Sequence, residues 1–333
     1  MQPEFRPAAG LANGHLQSIL ASSGVRRMLT RRSSPVLFGE AVREVIETPE
    51  GVRLEAWLNE HPTPRGVALL FHGWEGHANA SYLVETGARL LRHGFTVVRL
   101  NFRDHGDTHD LNEDLFHSCR IQEIVDATEI IGRRFDGLPL LLAGYSLGGN
   151  FALRVTTRAG VPIRKTVAIS PVIDPNPTLI AIEAALPIYH AYFMRKWKRS
   201  LRRKHELFPH RYEAIWRKRL GLRDMTRWMV ERYTEYDTME AYLDGYAIGG
   251  DRLAGLRAPT TVITSSDDPV IPIDEFHGLD LPDRAQCIVL PHGGHCGFIE
   301  NWRLESWAAR QITERFVAAL GPATPDNNEK LSC

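Results

Sequence analysis

Short apolar segments alternate with longer segments of helical periodicity along most of this chain. This alternation is typical of an α/β fold, in which helices cover both faces of a mostly parallel sheet. The first two predicted strands are separated by a short turn that contains PEG, which indicates a hairpin and an antiparallel edge. The predicted strands are Val42–Thr48, Leu54–Asn59, Val67–His72, Thr96–Phe102, Leu138–Tyr145, Lys165–Ile169, Thr260–Ser265 and Gln286–Leu290. The predicted crossover helices are Tyr82–Arg92, Cys119–Phe135, Leu147–Arg158 and Leu304–Leu320.

The segment from Pro175 to Gly250 interrupts the alternation. It is rich in Arg, Lys, Trp and Tyr at helical spacing and has few β-type runs, so we interpret it as an inserted helical cap. The predicted organisation is a core of residues 1–174 and 251–320, a cap of residues 175–250, and an unordered polar tail of residues 321–333.

Residues 195–204 of the predicted cap, RKWKRSLRRK, carry seven basic side chains and no acidic one. Such a run usually forms a solvated helix face. Attraction to anionic lipid head groups or to an acidic partner is the alternative, although we do not expect peripheral membrane contact through the cap. The aromatic residues Tyr189, Tyr192, Phe193 and Trp197 have the spacing of a packed core, and lining an acyl pocket is their second interpretation.

The global composition limits the compartment and the partners. Forty basic and forty acidic side chains balance at pH 7, so no nucleic-acid partner is predicted. The four cysteines form no CxxC pair, which favours a reducing compartment over a disulfide framework or a zinc site. The N-terminus lacks the pattern of a signal peptide, and no stretch approaches the roughly 18 apolar residues of a membrane span. We therefore expect a cytoplasmic protein.

The stretch GYSLGGN, residues 144–150, joins a predicted strand to a predicted helix. A G-x-S-x-G motif in this context places the serine on a sharp, strained turn with its hydroxyl exposed, and small residues on both sides relieve the crowding. Ser146 is therefore a candidate nucleophile. Taken alone, the motif is equally compatible with a glycine-rich turn and a capping serine.

A serine nucleophile needs a base and an orienting acid. Downstream, TVITSSDDPVIP and then CIVLPHGGHCGF each run from a strand into a loop, and they supply an acid and a histidine in the order Ser, Asp, His. Asp268 is preferred over Asp267 because the following Pro puts it on the rigid turn that leaves the strand. His295 is preferred over His292 because it lies in a glycine-flanked loop that can swing over the serine.

Acyl transfer also needs two donors for the oxyanion. We predict the backbone N–H of Leu147, directly after the nucleophile, and that of Trp74 in the loop after the strand ending at His72. A metal site formed by His72, Glu75 and His77 is an alternative with poor ligand spacing, so no metal or cofactor is predicted.

A second polar loop, NFRDHGDTHDLNEDLFH, follows the predicted strand Thr96–Phe102. Its acidic and histidine side chains have metal-ligand chemistry but irregular spacing, so a hydrogen-bonded rim of the pocket is the preferred interpretation. These side chains are Asp104, His105, Asp107, His109 and Asp110.

Taken together, the motifs resemble those of the α/β-hydrolase superfamily and, more narrowly, of its YheT-like, esterase-type branch. The residues that carry this resemblance are NGHLQS (13–18), HGWEGHANASYL (72–83), NFRDHGDTHDLNE (101–113), GYSLGGN (144–150), DDPVIP (267–272) and GGHCGF (293–298). They are collinear from about residue 11 to residue 298 and so cover nearly the whole predicted fold.

The resemblance implies an α/β-hydrolase fold, a triad of Ser146, His295 and Asp268, and oxyanion donors at Trp74 and Leu147. It also implies hydrolysis of small or lipid-like carboxylic esters without a cofactor, with short-chain aryl esters as model substrates. Some eukaryotic relatives act on phospholipids. The sequence departs from the family pattern at Asp104, where the family often reads RGHG or RGCSG.

Three functions fit these residues. The first is a carboxylesterase that works through an acyl-enzyme. An acyltransferase with the same triad differs only in the acceptor that follows acylation, and a non-catalytic binding module would keep the fold alone. The natural substrate and the oligomeric state are not predicted.

Overall fold

An eight-stranded sheet runs through the part of the chain that the computed structural model describes, residues 4–321. Its strands are β1 Val42–Glu47, β2 Arg53–Asn59, β3 Gly66–Phe71, β4 Phe95–Leu100, β5 Leu140–Tyr145, β6 Ile163–Ile169, β7 Thr260–Ser265 and β8 Ala285–Leu290. Their order across the sheet is β1-β2-β4-β3-β5-β6-β7-β8. The pairs β1–β2 and β2–β4 are antiparallel and the others are parallel, which confirms the predicted hairpin edge and α/β class.

Helices occupy the connections between the strands. They are α1 Gly14–Ala21, α2 Gly24–Ser33, α3 Pro35–Gly39, α4 Ser81–Arg92, α5 Ile121–Arg134, α6 Leu147–Arg158, α7 Pro175–Ala184, α8 Pro187–Leu207, α9 Leu222–Tyr233, α10 Met239–Gly245, α11 Asp274–His277 and α12 Trp307–Leu320. No helix within residues 4–321 has the length and apolar character needed to cross a membrane.

Both faces of the sheet are buried, as the continuous apolar runs of its central strands require. Alternate residues of β3 belong to different hydrophobic clusters because successive side chains of a strand point to opposite faces. Ala68 and Leu70 pack with α4 and α12, whereas Leu69 and Phe71 pack with α5 and α6. The predicted two-sided helical cover is therefore confirmed.

Helices α7 to α10 lie between β6 and β7 in the chain. Their buried side chains, including Leu179, Trp197 and Met225, belong to the same hydrophobic cluster as α5 and α6. Helix α8 lies at the carboxyl ends of the parallel strands. There its Phe193 ring stacks on the ring of Trp74, in the loop after β3, at a centroid distance of 5.4 Å.

The three N-terminal helices carry no strong periodic signal and were not predicted. The side chain of Asn13 caps α1 by accepting a hydrogen bond from the Leu16 N–H at 3.0 Å. Helix α2 is attached to α4 by a buried ion pair between Arg26 and Glu85, at 3.1 Å. Helix α1 begins against the loop after β7, since a Cβ on Gly14 would lie 2.2 Å from the Asp267 carbonyl oxygen.

The start of α12 corrects one prediction. The hydroxyl of Ser306 accepts a hydrogen bond from the Ala309 N–H at 3.2 Å, so the helix begins at Trp307 rather than at Leu304. Leu304 has a left-handed backbone (φ +60°) and packs in a small separate cluster with Leu11. Of the predicted tail, residues 322–333 lie outside the described residues.

Candidate active site

Ser146 lies on a strained turn between β5 and α6. Its backbone is left-handed, with φ +54° and ψ −121°, a conformation that is costly for a residue with a side chain. The flanking glycines are required for space. A Cβ on Gly144 would lie 2.0 Å from the Gly148 carbonyl oxygen, and a Cβ on Gly148 would lie 2.4 Å from the His72 carbonyl oxygen. The strand–turn–helix context predicted for GYSLGGN is therefore present.

Ser146, His295 and Asp268 form one hydrogen-bonded series. Nε2 of His295 lies 2.9 Å from the Ser146 hydroxyl, and Nδ1 lies 2.9 Å from a carboxylate oxygen of Asp268. The other oxygen of Asp268 accepts hydrogen bonds from the backbone N–H groups of Val270 and Ile271, at 2.8 and 3.0 Å. The carboxylate is fully buried, so its orientation is fixed by these partners.

Asp267 and His292, the alternative acid and base, have surroundings that differ from those of Asp268 and His295. Within residues 4–321, Asp267 forms no hydrogen bond or ion pair with the ring of His295. Its carboxylate accepts a hydrogen bond from the Gly294 N–H at 2.8 Å and lies 3.5 Å from the ring of His292. His292 is half-exposed and lies outside the hydrogen-bonded series. Asp267 therefore holds the backbone that carries His295.

Helix α1 also holds this backbone, a role that sequence reasoning missed. The Ser18 hydroxyl accepts a hydrogen bond from the His295 N–H at 2.8 Å and donates to the Gly14 carbonyl at 2.7 Å. The buried amide of Gln17 accepts from the Ile299 N–H at 2.7 Å and donates to the Ile299 carbonyl at 3.1 Å. In the sequence the motif NGHLQS serves only as a family marker, and the available signal is a pair of adjacent polar residues, Gln17 and Ser18, in the middle of a short helix.

The loop after β3 lies against Ser146. A Cβ on Gly73 would lie 3.3 Å from the Ser146 Cβ, so a side chain there would crowd the serine and the glycine eases this close approach. Within residues 4–321 the backbone N–H groups of Trp74 and Leu147 donate to no protein acceptor, and both residues line the same cavity as Ser146. This is the arrangement expected of donors that await an oxyanion.

Two histidines brace the Trp74 loop. The ring of His72 accepts a hydrogen bond from the Phe102 N–H and lies 2.8 Å from the Gly73 carbonyl. The ring of His105 accepts from the Glu75 N–H and lies 2.7 Å from the Arg103 carbonyl. Burial lowers the pKa of His72 well below its ordinary value and that of His105 to about 3, so both are neutral. Their ring nitrogens therefore contact backbone groups and position the Trp74 loop. Among the described residues no group of three His, Cys, Asp or Glu side chains is suited to a metal ion.

Asp104, one of the residues predicted to form a polar rim of the pocket, lies deeper in the protein than expected. The carboxylate of Asp104 is buried and bonds to the ammonium of Lys204 at 2.7 Å and to the Phe116 N–H at 2.8 Å. This buried ion pair attaches α8 to the loop after β4. The part of the loop that reaches the cavity is its end, at Phe116 and His117.

Two cavities meet at Ser146. The first, about 740 Å³ with its opening to solvent included, is mostly apolar, and its walls include the predicted aromatic residues Phe193 and Trp197. The second, about 750 Å³, is more polar, and Ser146, Trp74 and Phe193 also line it. Tyr192 faces this second cavity, whereas the Tyr189 hydroxyl lies 3.0 Å from Nδ1 of His15 and connects α8 to α1.

The sequence matches a family model described as "Alpha/beta hydrolase family" over residues 68–305. The chain belongs to the α/β-hydrolase family, as its motifs predicted. It is 26% identical to "Putative esterase YheT" of Escherichia coli K12, over 95% of this chain and 94% of that protein. "Embryogenesis-associated protein EMB8" of Picea glauca is 22% identical over 89% of this chain and 67% of its own length.

The fold is also found among solved structures. The esterase Pf2001 of Pyrococcus furiosus superimposes with a TM-score of 0.52 at 18% sequence identity, covering 84% of this chain and 92% of that one. The comparison confirms the predicted α/β-hydrolase fold.

Proposed function

We propose that this chain is a serine carboxylesterase. The observation that carries the proposal is the series Ser146–His295–Asp268, whose hydrogen bonds of 2.9 Å follow the order that nucleophile, base and orienting acid require. The esterase-type relatives support the class of reaction.

In the proposed reaction His295 takes the proton of Ser146, whose oxygen attacks the ester carbonyl. Asp268 keeps the imidazole in the correct tautomer and stabilises its cation. The N–H groups of Trp74 and Leu147 stabilise the oxyanion. His295 then protonates the departing alcohol and activates the water that hydrolyses the acyl-enzyme.

The apolar first cavity is the proposed acyl site. It is lined by Trp74 and Leu147, the oxyanion donors, and extends between the sheet and helices α7 to α9. We propose residues 175–250 as the cap that sets acyl length, because Leu179, Trp197 and Met229 form much of this wall. A cytoplasmic location is proposed because Cys119, Cys287 and Cys296, the cysteines of residues 4–321, form no disulfide with one another.

A fluorophosphonate probe tests the nucleophile directly. We expect stoichiometric labelling, with the added mass on the peptide that contains Ser146, because an activated serine attacks phosphorus as it attacks a carbonyl. Intact-protein and peptide mass spectrometry measure this. Labelling elsewhere, or none in a protein that remains folded, would contradict the proposal. Turnover in the presence of added alcohols then separates hydrolysis from acyl transfer through the ratio of acid to new ester.

The pH profile of kcat/KM tests the base. Burial by itself lowers the pKa of His295, but the Asp268 carboxylate and the Cys296 side chain raise it, with a net value well above the ordinary 6.5. Only the neutral imidazole can take the serine proton, so activity is lost as pH falls through this pKa. We expect the acidic limb to have its midpoint above pH 6.5 for a substrate that does not ionise. A midpoint below pH 6.5 would count against the assignment.

A further inference from the structure

The two cavities at Ser146 differ in their charged residues. Of the residues that the structure describes, no lysine or arginine lines the apolar first cavity. The second is lined by Arg27 of α2 and Lys196 of α8, and by His77. No aspartate or glutamate among the described residues lines it. The second cavity therefore carries an excess of positive charge beside the candidate nucleophile.

The two cations are not neutralised by the protein. Within residues 4–321 neither has a carboxylate within 4.0 Å, in contrast to the neighbouring Arg26, which pairs with Glu85. The ammonium of Lys196 donates one hydrogen bond, to the Glu75 carbonyl at 2.9 Å, and lies 4.7 Å from the centroid of the Tyr192 ring. An ammonium has three N–H donors, so Lys196 keeps donors for a ligand.

Two ionisable side chains close to the cations, Glu75 and His77, leave this positive charge in place. Burial raises the pKa of Glu75 to about 8, so its carboxyl group is largely protonated at neutral pH and does not cancel the charge of Lys196. Burial, Lys196 and Arg27 lower the pKa of His77 to about 4, which keeps its ring neutral. The field of both cations therefore extends over this part of the cavity.

The position of His295, which must protonate the departing alcohol, places the alcohol portion of the substrate in the second cavity. His295 lines the second cavity and not the first. In the proposed reaction the same imidazole must protonate the oxygen of the departing alcohol when the ester C–O bond breaks. The alcohol portion therefore lies on the side of Ser146 that His295 faces, while the acyl chain occupies the apolar cavity.

We propose that Arg27 and Lys196 bind an anionic group, of which a phosphate monoester is the representative, on the alcohol portion of the ester. The proposal rests on the proposed esterase function and specifies its substrate class. Two cations that line one cavity favour phosphate because charge-assisted hydrogen bonds are about twice as strong as neutral ones. It also gives a role to one lysine of the basic run, since Lys196 faces the site while Arg199 on the same helix is exposed.

Two soluble esters with the same acyl chain test this proposal, hexanoyl glycerol and hexanoyl glycerol 3-phosphate. We expect wild-type kcat/KM to be at least about tenfold higher for the phosphate ester at low ionic strength, and the preference to fall as salt screens the charges. Lys196→Gln and Arg27→Gln are each expected to lower the ratio of the two kcat/KM values about tenfold. Lys196→Arg is expected to keep most of it.

Arginines on the same helices that line neither cavity provide matched controls, since Arg27 is exposed as they are. Arg199→Gln on α8 and Arg32→Gln on α2 remove the same charge outside the cavity and are expected to leave the ratio unchanged within about twofold. A wild-type protein without preference for the phosphate ester, or a ratio that Lys196→Gln leaves unchanged, overturns the proposal. A variant that merely disturbs the fold lowers both rates together and does not mimic the expected result.

A competition assay separates an alcohol site from a site for free phosphate. Glycerol 3-phosphate is expected to inhibit competitively at a much lower concentration than inorganic phosphate does, and equal inhibition by both would overturn the assignment to the alcohol portion. Failure of the underlying esterase function is recognised separately, since then hexanoyl glycerol is not hydrolysed and Ser146 is not labelled.

Discussion

Replacing Ser146 by alanine is expected to lower kcat for ester hydrolysis by about 10⁶-fold. The hydroxyl is the group in the hydrogen-bonded series that can form the acyl-enzyme, and Nε2 of His295 lies closer to it, at 2.9 Å, than to the buried thiol of Cys296, at 3.9 Å. The residual rate, about 10³-fold to 10⁴-fold above the uncatalysed reaction, would come from substrate binding and the donors of Trp74 and Leu147.

The fold of this variant should be unaffected. Alanine carries the same Cβ as serine, so the strain of the left-handed turn at φ +54° is the same in both proteins. We expect the free energy of unfolding to change by less than about 1 kcal/mol, measured by chemical denaturation. Ser266→Ala is a matched control, because its exposed hydroxyl donates only to the Pro291 carbonyl. Turnover by Ser146→Ala within tenfold of the wild type would rule out the serine mechanism.

The elements of the fold were predictable because its central strands are buried on both faces and read as continuous apolar runs. The strand Thr260–Ser265 and the helix Leu147–Arg158 have the predicted bounds. The order of strands, with β4 between β2 and β3, depends on crossover connections that no local pattern records. The N-terminal helices were missed because they are stabilised by distant partners, such as Glu85 for Arg26.

The basic run, residues 195–204, shows that local sequence also does not reveal which single side chains are buried. Seven basic residues in ten predicted a solvated face, and most of them fit it, but Lys204 is fully buried. Its partner, Asp104, lies 100 positions away in the chain, so its burial could not be inferred from the run itself. Lys196 likewise turns inward one turn after Tyr192, whose ring it contacts. Helical spacing relates these positions, but only the packing of α8 shows which side faces the site.

The adjacent acids Asp267 and Asp268 provide a second large and discriminating prediction. Asp268→Asn is expected to lower kcat about 10⁴-fold, because the amide stabilises the wrong imidazole tautomer and no longer stabilises the cation. Asp267→Asn conserves the same volume and is expected to cost less than about tenfold, since the amide oxygen can still accept the Gly294 N–H hydrogen bond. Steady-state kinetics on one neutral ester compares the two variants directly.

The pH profiles of these variants distinguish loss of charge from loss of structure. The Asp268 carboxylate raises the pKa of His295, so its neutralisation should move the acidic limb of the residual activity to lower pH. The Asp267 carboxylate contacts the backbone of Gly294 rather than the His295 ring, so Asp267→Asn should keep the wild-type limb. If the larger loss and the shift instead followed Asp267→Asn, the acid of the proposed triad would have to be reassigned. A loss in both variants without any shift would mean that both acids act on the position of His295 alone.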